Sequence, residues 1–309
     1  MERNKLQESL PKLTLLFFLN YNREKNKDGD TMSTLYISDL DGTLLNKNAK
    51  LSEVSKKLLL DLIHKNVLFT CATARTMATV SHLLKDIPLS APAILMNGVA
   101  ILDWNTKKYI KVEYYNQSFC SILLDKLSEL SLTGFLYCID DDKLCTYYEN
   151  LYNESMIHFY EERVNLYQKP FTKVNSFHEI DANKLIYTLL LDTKEALSPL
   201  IEWLTKNKEQ FEIDFCCYPE IYLENTWCLE IFHKNASKYN AVMYLRRNYP
   251  FDKIVGFGDN LNDLSLFLAC DETYAVSNAK PEVIESATAV IGSNTEDSVP
   301  KFIATLENL

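Results

Sequence analysis

Short apolar runs, each closed by acidic or small polar residues, alternate with helix-period segments at both ends of this chain. Residues 35–40 (LYISDL) form the first run. A segment that short and apolar reads as a strand buried on both faces, the pattern of a parallel sheet. Residues 51–65 follow with Val54, Leu58, Leu59, Leu62 and Ile63 at helical spacing and Ser52 placed to cap the first turn. Residues 67–72 and 93–96 repeat the strand pattern on either side of a helix predicted over 77–84. Near the other end, 253–258 (KIVGFG) reads as a strand between helices at 237–248 and 261–269. Short strands at 273–276 and 288–291 alternate with helices at 281–286 and 295–307. This order predicts an α/β fold: a Rossmann-like, doubly wound parallel sheet with ligands at the carboxyl ends of its strands.

The stretch 114–232 breaks the rhythm. It reads as a helix at 117–130, a hairpin around Asp140, Asp141 and Asp142, a helix near 151–163, a strand at 185–191, another helix, and strands at 211–217 and between 221 and 232. An α+β domain inserted into the sheet domain is therefore expected, with the core at 32–113 and 233–309 and the insertion at 114–232. Residues 1–31 read as a poorly ordered extension. Arg3, Lys5 and Lys12 accompany an apolar run at 13–19 that is too short for a secretion signal and lacks a small-residue cleavage site.

Composition excludes several function classes. Hydrophobic residues make up 47% of the 309 and charged residues 24%, too apolar for a disordered chain. A formal charge of −10, spread along the chain, supplies no basic stripe, so nucleic acid is not an expected partner. No apolar run reaches the length of a membrane span. The eight cysteines form no C-x-x-C pair and no cluster with histidine, and read as reduced small hydrophobes of a cytoplasmic protein.

The chemistry-bearing residues sit at strand ends. Asp39-Leu40-Asp41-Gly42-Thr43 closes the first strand. Two carboxylates two apart on extended chain face opposite ways, and Gly42 permits the sharp turn that would bring both to one site. One could then hold a metal and attack an electrophile while the other moves a proton. Gly258-Asp259-Asn260-Leu261-Asn262-Asp263 closes a second strand. Two acidic strand ends side by side make a hard oxygen site of the kind Mg²⁺ prefers. Thr73 ends the strand 67–72, where its hydroxyl and nearby amides could hold a phosphate; Thr70, inside that strand, should be buried. Lys238 opens the helix after the insertion, where an ammonium would offset charge on a phosphoryl group.

With these motifs in this order, residues 35–309 resemble the haloacid dehalogenase superfamily of phosphotransferases, in its Cof-like branch of Mg²⁺-dependent phosphatases. The resemblance extends to PAILMNGVAILD, with Asn97-Gly98, and to the closing segment AVSNAKPEVIESATAVIGSNTEDSV. It implies Asp39 as nucleophile and Asp41 as general acid and base. It further implies Thr73, Lys238, Asn262 and Gly42 around the substrate phosphate, and Mg²⁺ on Asp39, the Asp41 carbonyl and Asp259. Asp263 would stand behind them, holding Lys238 or a water on the metal. The expected reaction is hydrolysis of a small phosphorylated metabolite, a sugar or cofactor phosphate, through an aspartyl-phosphate, with the insertion as a mobile cap that selects substrate. A phosphomutase or other phosphotransferase, and a binding protein without turnover, are the alternatives, and the chain would act as monomer or homodimer. The sequence departs from the family at Ala74 and Tyr239, each replacing a glycine, and at Ser277 and Ser298. In the insertion, Tyr147, Tyr148 and His178 are candidate specificity residues, while the Asp140–Asp142 run reads as a solvated hairpin tip.

Overall fold

A computed structural model describes residues 33–220 and 225–309, and places them in two compact units. The predicted extension at 1–31 and the first residues of the strand expected from 221 lie outside the described residues.

The first unit comprises the described residues up to Thr76, Val80–Lys111 and Ser237–Leu309. Its centre is a five-stranded parallel sheet running Ala289–Ile291, Glu272–Val276, Lys253–Gly258, Thr34–Ser38, Leu68–Cys71 from edge to edge. Leu35, Ile37, Ile254 and Ala275 are fully buried, as strands covered on both faces must be. The helix Glu53–His64 starts where Ser52 accepts from the Ser55 amide. The helix Lys238–Asn248 starts where Ser237 accepts from Asn240, and it buries Ala241, Val242 and Leu245 in the core. Register decides where the chemistry goes. Ser38 is paired with Phe257 on one side and Cys71 on the other. Asp39, Asp259 and Thr73 therefore leave the sheet at the same carboxyl edge, where the strand order reverses direction.

The strand expected at 93–96 departs from the prediction. Ala93–Leu95 pairs antiparallel with Ala100–Asp103 in a separate sheet of three, completed by Lys108–Val112. It meets the parallel sheet through one bridge, Ala72 to Ile94. The cause is local: Met96, Asn97 and Gly98 all have positive φ, and this turn sends the chain back along itself. The helix expected at 261–269 is a 3₁₀ turn, Leu261–Asp263, followed by the single α-turn Leu264–Phe267.

The second unit comprises Met77–Thr79 and the described residues of Val112–Ala236. Six strands form a mixed sheet in the order Ile213–Pro219, Trp227–His233, Leu185–Asp192, Phe135–Asp140, Lys143–Tyr148, Phe171–Lys173. All neighbours are antiparallel except the last pair. Helices Gln117–Glu129 and Lys194–Phe211 bury Phe119, Leu123, Leu197 and Leu204 against Leu136, Leu190 and Leu229 in this unit's own core. The hairpin at Asp140–Asp142 turns through Asp141 and Asp142 at positive φ, with all three residues exposed. No described helix is long and apolar enough to cross a membrane.

Candidate active site

Asp39 follows the first strand directly. Its amide donates to the Phe257 carbonyl at 3.0 Å, which continues the strand pairing by one residue and fixes the carboxylate at the sheet edge. Asp39 as a residue is 5% exposed. Lys238, with no exposed surface, donates from Nζ to Asp39 Oδ1 and to Asp263 Oδ1, each at 2.6 Å. Burial alone would favour a neutral amine, but two carboxylates in contact hold Lys238 protonated and raise its pKa above the ordinary value. Burial pushes Asp39 well up, aided by the charges of Asp263 and Asp259 and opposed by Lys238.

Asp263 is also fully buried, and both its oxygens are engaged: Oδ1 by Lys238, and Oδ2 by the amides of Asp259 at 2.9 Å and Asn260 at 3.0 Å. A Cβ on Gly258 would stand 2.5 Å from the Asp263 Cβ, so this position admits no larger side chain. Asp259 is partly buried and accepts from the Thr43 hydroxyl at 2.8 Å through Oδ1. Burial pushes its pKa up to about 6, with the Thr43 hydrogen bond acting the other way. Gly42 has φ +76°, and a Cβ there would lie 2.3 Å from Asp259 Oδ2. The glycine thus serves two needs, a left-handed backbone and room for a carboxylate.

Asp39, Asp259 and Asp263 bring carboxylate oxygens within 4.8 Å of one another, a set that could hold a metal ion. Because both Asp263 oxygens are already occupied by donors, the groups left to face a cation are the Asp39 and Asp259 oxygens that accept no protein hydrogen bond. All-oxygen donors of this kind suit a hard divalent cation. Four carboxylates (Asp39, Asp41, Asp259, Asp263) stand beside two cationic side chains, Lys238 and Arg75. The formal imbalance is the charge that one divalent ion carries.

Asp41 is engaged elsewhere. Its side chain is about half exposed, and both its oxygens are taken by Arg75, Nε to Oδ2 at 2.6 Å and Nη2 to Oδ1 at 2.7 Å. Thr73 is 1% exposed, and its hydroxyl accepts from the Arg75 amide at 3.2 Å. Thr70 is fully buried and donates to the carbonyls of Ala91 and Pro92, a structural role. Asn262 donates to Asn97 Oδ1 at 3.0 Å, tying the second acidic motif to the turn at 96–98. Asn278 donates to the Gly42 carbonyl at 2.8 Å, and the Lys280 amide to the Asp259 carbonyl at 2.9 Å, so the closing segment braces both acidic loops.

Sequence reasoning gave no role to Arg75, Thr43 or Asn278, and named Asn97 only as part of a turn. Thr43 and Asn278 lay inside quoted segments and carried a signal, whereas Arg75 is a single polar residue in a loop. Ala74 and Tyr239 are both exposed, so neither fills the buried part of the site. Ser298 is buried and donates to the Ser293 carbonyl, while Ser277 is exposed. In the second unit, Tyr147 packs against the core, Tyr148 lies among Phe135, Tyr160 and Phe171, and the exposed His178 sits 3.0 Å from Asp125.

The family model for haloacid dehalogenase-like hydrolases matches residues 36–303. The pyridoxal phosphate phosphatase of Escherichia coli K12 is 26% identical over 281 residues, covering 88% of this chain and 98% of that protein. A 5-amino-6-(5-phospho-D-ribitylamino)uracil phosphatase of Bacillus subtilis 168 is 26% identical over 288 residues, covering 86% and 95%. Among solved structures, a haloacid dehalogenase-like hydrolase from Bacteroides thetaiotaomicron superposes with a TM-score of 0.74 at 19% identity, over 88% of this chain and 99% of the other.

Proposed function

The chain belongs to the haloacid dehalogenase-like hydrolase family and is a phosphatase, and on that premise we propose that it hydrolyses the phosphate monoester of a small metabolite through an aspartyl-phosphate on Asp39. The observation that carries this reading is the buried Lys238 ammonium held between Asp39 and Asp263 at the strand edge that also bears Asp259. A purely structural ion pair would have no need of a further carboxylate, Asp259, with an oxygen that accepts no protein hydrogen bond beside it.

Asp39 attacks phosphorus in line with the leaving oxygen, the P–O bond to that oxygen breaks, and Asp41 supplies the proton the leaving group takes up. Asp41 then accepts a proton from the water that attacks phosphorus, which releases orthophosphate and restores the Asp39 carboxylate. Lys238 and Thr73 hold the equatorial phosphoryl oxygens, with Asn262 and the Gly42 backbone beside them. Asp263 keeps the Lys238 ammonium aimed at Asp39. The Asp39 and Asp259 carboxylates with the Asp41 carbonyl would hold Mg²⁺, which offsets phosphoryl charge when bound. Choice of leaving group falls to the inserted unit, acting as a cap. The names of the two sequence relatives support a cofactor or similar metabolite phosphate as the substrate class.

Inorganic phosphate release from an aryl phosphate tests the reading, measured with Mg²⁺ and with chelator for wild type and Asp39→Asn. Mg²⁺-dependent release that disappears in Asp39→Asn is the expected result. Undiminished release by Asp39→Asn would overturn the assignment.

A further inference from the structure

The Asp41–Arg75 pair poses a problem for the chemistry assigned to Asp41. A carboxylate that accepts both arms of a guanidinium fork, at 2.6 and 2.7 Å, has the lone pairs facing that fork occupied and its orientation fixed. Held in that pose as an ion-paired carboxylate, Asp41 is neither protonated nor free to turn toward a leaving-group oxygen until the fork lets go. The guanidinium is well placed to let go in favour of something else. Its backbone is anchored beside the proposed phosphate site, with the Arg75 amide on the Thr73 hydroxyl and the Arg75 carbonyl accepting from Met96 at 3.1 Å. A planar fork matches a carboxylate and a phosphoryl group equally well, so the two are competitors for one set of donors. Lys238, the other cation of the site, spends two of its three donors on carboxylates, which leaves a single donor for a phosphoryl oxygen.

We propose that Arg75 is a substrate-binding residue that exchanges partners during turnover. In the free protein its fork holds Asp41 as a carboxylate away from the reaction; when a phosphate monoester enters, the fork transfers to phosphoryl oxygens and releases Asp41, which takes up a proton from solvent and delivers it to the leaving group. Asp41 is thus freed only when there is a phosphate to act on. This inference rests on the phosphatase reading above and adds to it a residue and an order of events.

The exchange is tested by binding rather than turnover. Affinity for inorganic phosphate is measured calorimetrically in Mg²⁺ for wild type, Asp41→Asn and Asp41→Asn/Arg75→Ala. Asp41 is half exposed, so its substitution should leave the fold intact, and thermal unfolding of each variant checks this. Competition predicts that Asp41→Asn binds phosphate about fivefold more tightly than wild type, because the fork no longer has to leave a partner. It predicts that adding Arg75→Ala then weakens binding by about tenfold or more, because the fork itself is the contact. Unchanged affinity in Asp41→Asn, or equal affinity in the single and double variants, overturns the exchange. Failure of the phosphatase reading looks different: wild-type protein would neither bind phosphate nor release it from any monoester.

Discussion

Lys238 has no exposed surface and touches two carboxylates, so it couples stability to chemistry at a single side chain. Replacing it with methionine keeps the volume but leaves Asp39 and Asp263 facing each other without a counter-charge. Such a buried pair stripped of one partner costs about 3–5 kcal/mol, which chemical denaturation would read. Removing the charge from the phosphoryl site should also lower kcat by about 10²–10³-fold. At Gly42, alanine would meet both a left-handed backbone and the Asp259 carboxylate 2.3 Å away. Gly42→Ala should therefore weaken Mg²⁺ binding and activity together while far-UV circular dichroism stays native. Burial pushes Asp259 up to about 6 and Asp39 well up, so as pH falls a proton competes with the cation at both carboxylates. Mg²⁺ affinity should therefore rise with pH and fall by about tenfold or more per unit below about pH 6, as a calorimetric titration across that range would show.

Ala289–Ile291 leaves Ala289 and Val290 exposed at the sheet's edge, but the buried strands of the parallel sheet were legible because they are short apolar runs with little alternation, a pattern that a two-face-buried strand requires. Their register was not, yet it is what sets Asp39, Thr73 and Asp259 at one edge. The Ala93–Leu95 strand shows the limit most clearly. Its composition matches a central parallel strand, but the turn that folds it back depends on Met96 and Asn97 at positive φ, and no propensity rule places a methionine there. Phe171–Lys173, at three residues, is too short for periodicity to register. The helix start at Ser52 was easier, since a Ser just before an apolar-periodic segment has a direct capping rationale. Ser237, expected as the first residue of its helix, is instead the cap that precedes Lys238. Ser237→Ala should cost about 1 kcal/mol of stability, read by denaturant titration, with a smaller effect on activity than any change at Lys238.

Across the whole molecule, two units with separate buried clusters share one chain. Two cores of this size need not melt as one, so denaturation followed by probes in each unit should give transitions that do not coincide. A single shared transition for both probes would show the cores to be energetically inseparable. The site's charged residues could be named from sequence because carboxylates at strand ends in this order are a rare combination. The partners that orient them, Arg75 on Asp41 and Thr43 on Asp259, are contacts across loops and became visible only with coordinates. The proposed phosphoryl bond to Asp39 is the step on which the whole reading turns. Its most direct test uses Asp41→Asn, which lacks the proton acceptor for the second step but can still be phosphorylated by an aryl phosphate with a good leaving group. After acid quench and peptide mass mapping, the account predicts one phosphoryl group on the peptide containing Asp39. Phosphate release with no phosphorylated peptide, or a phosphoryl group on any other residue, would contradict it.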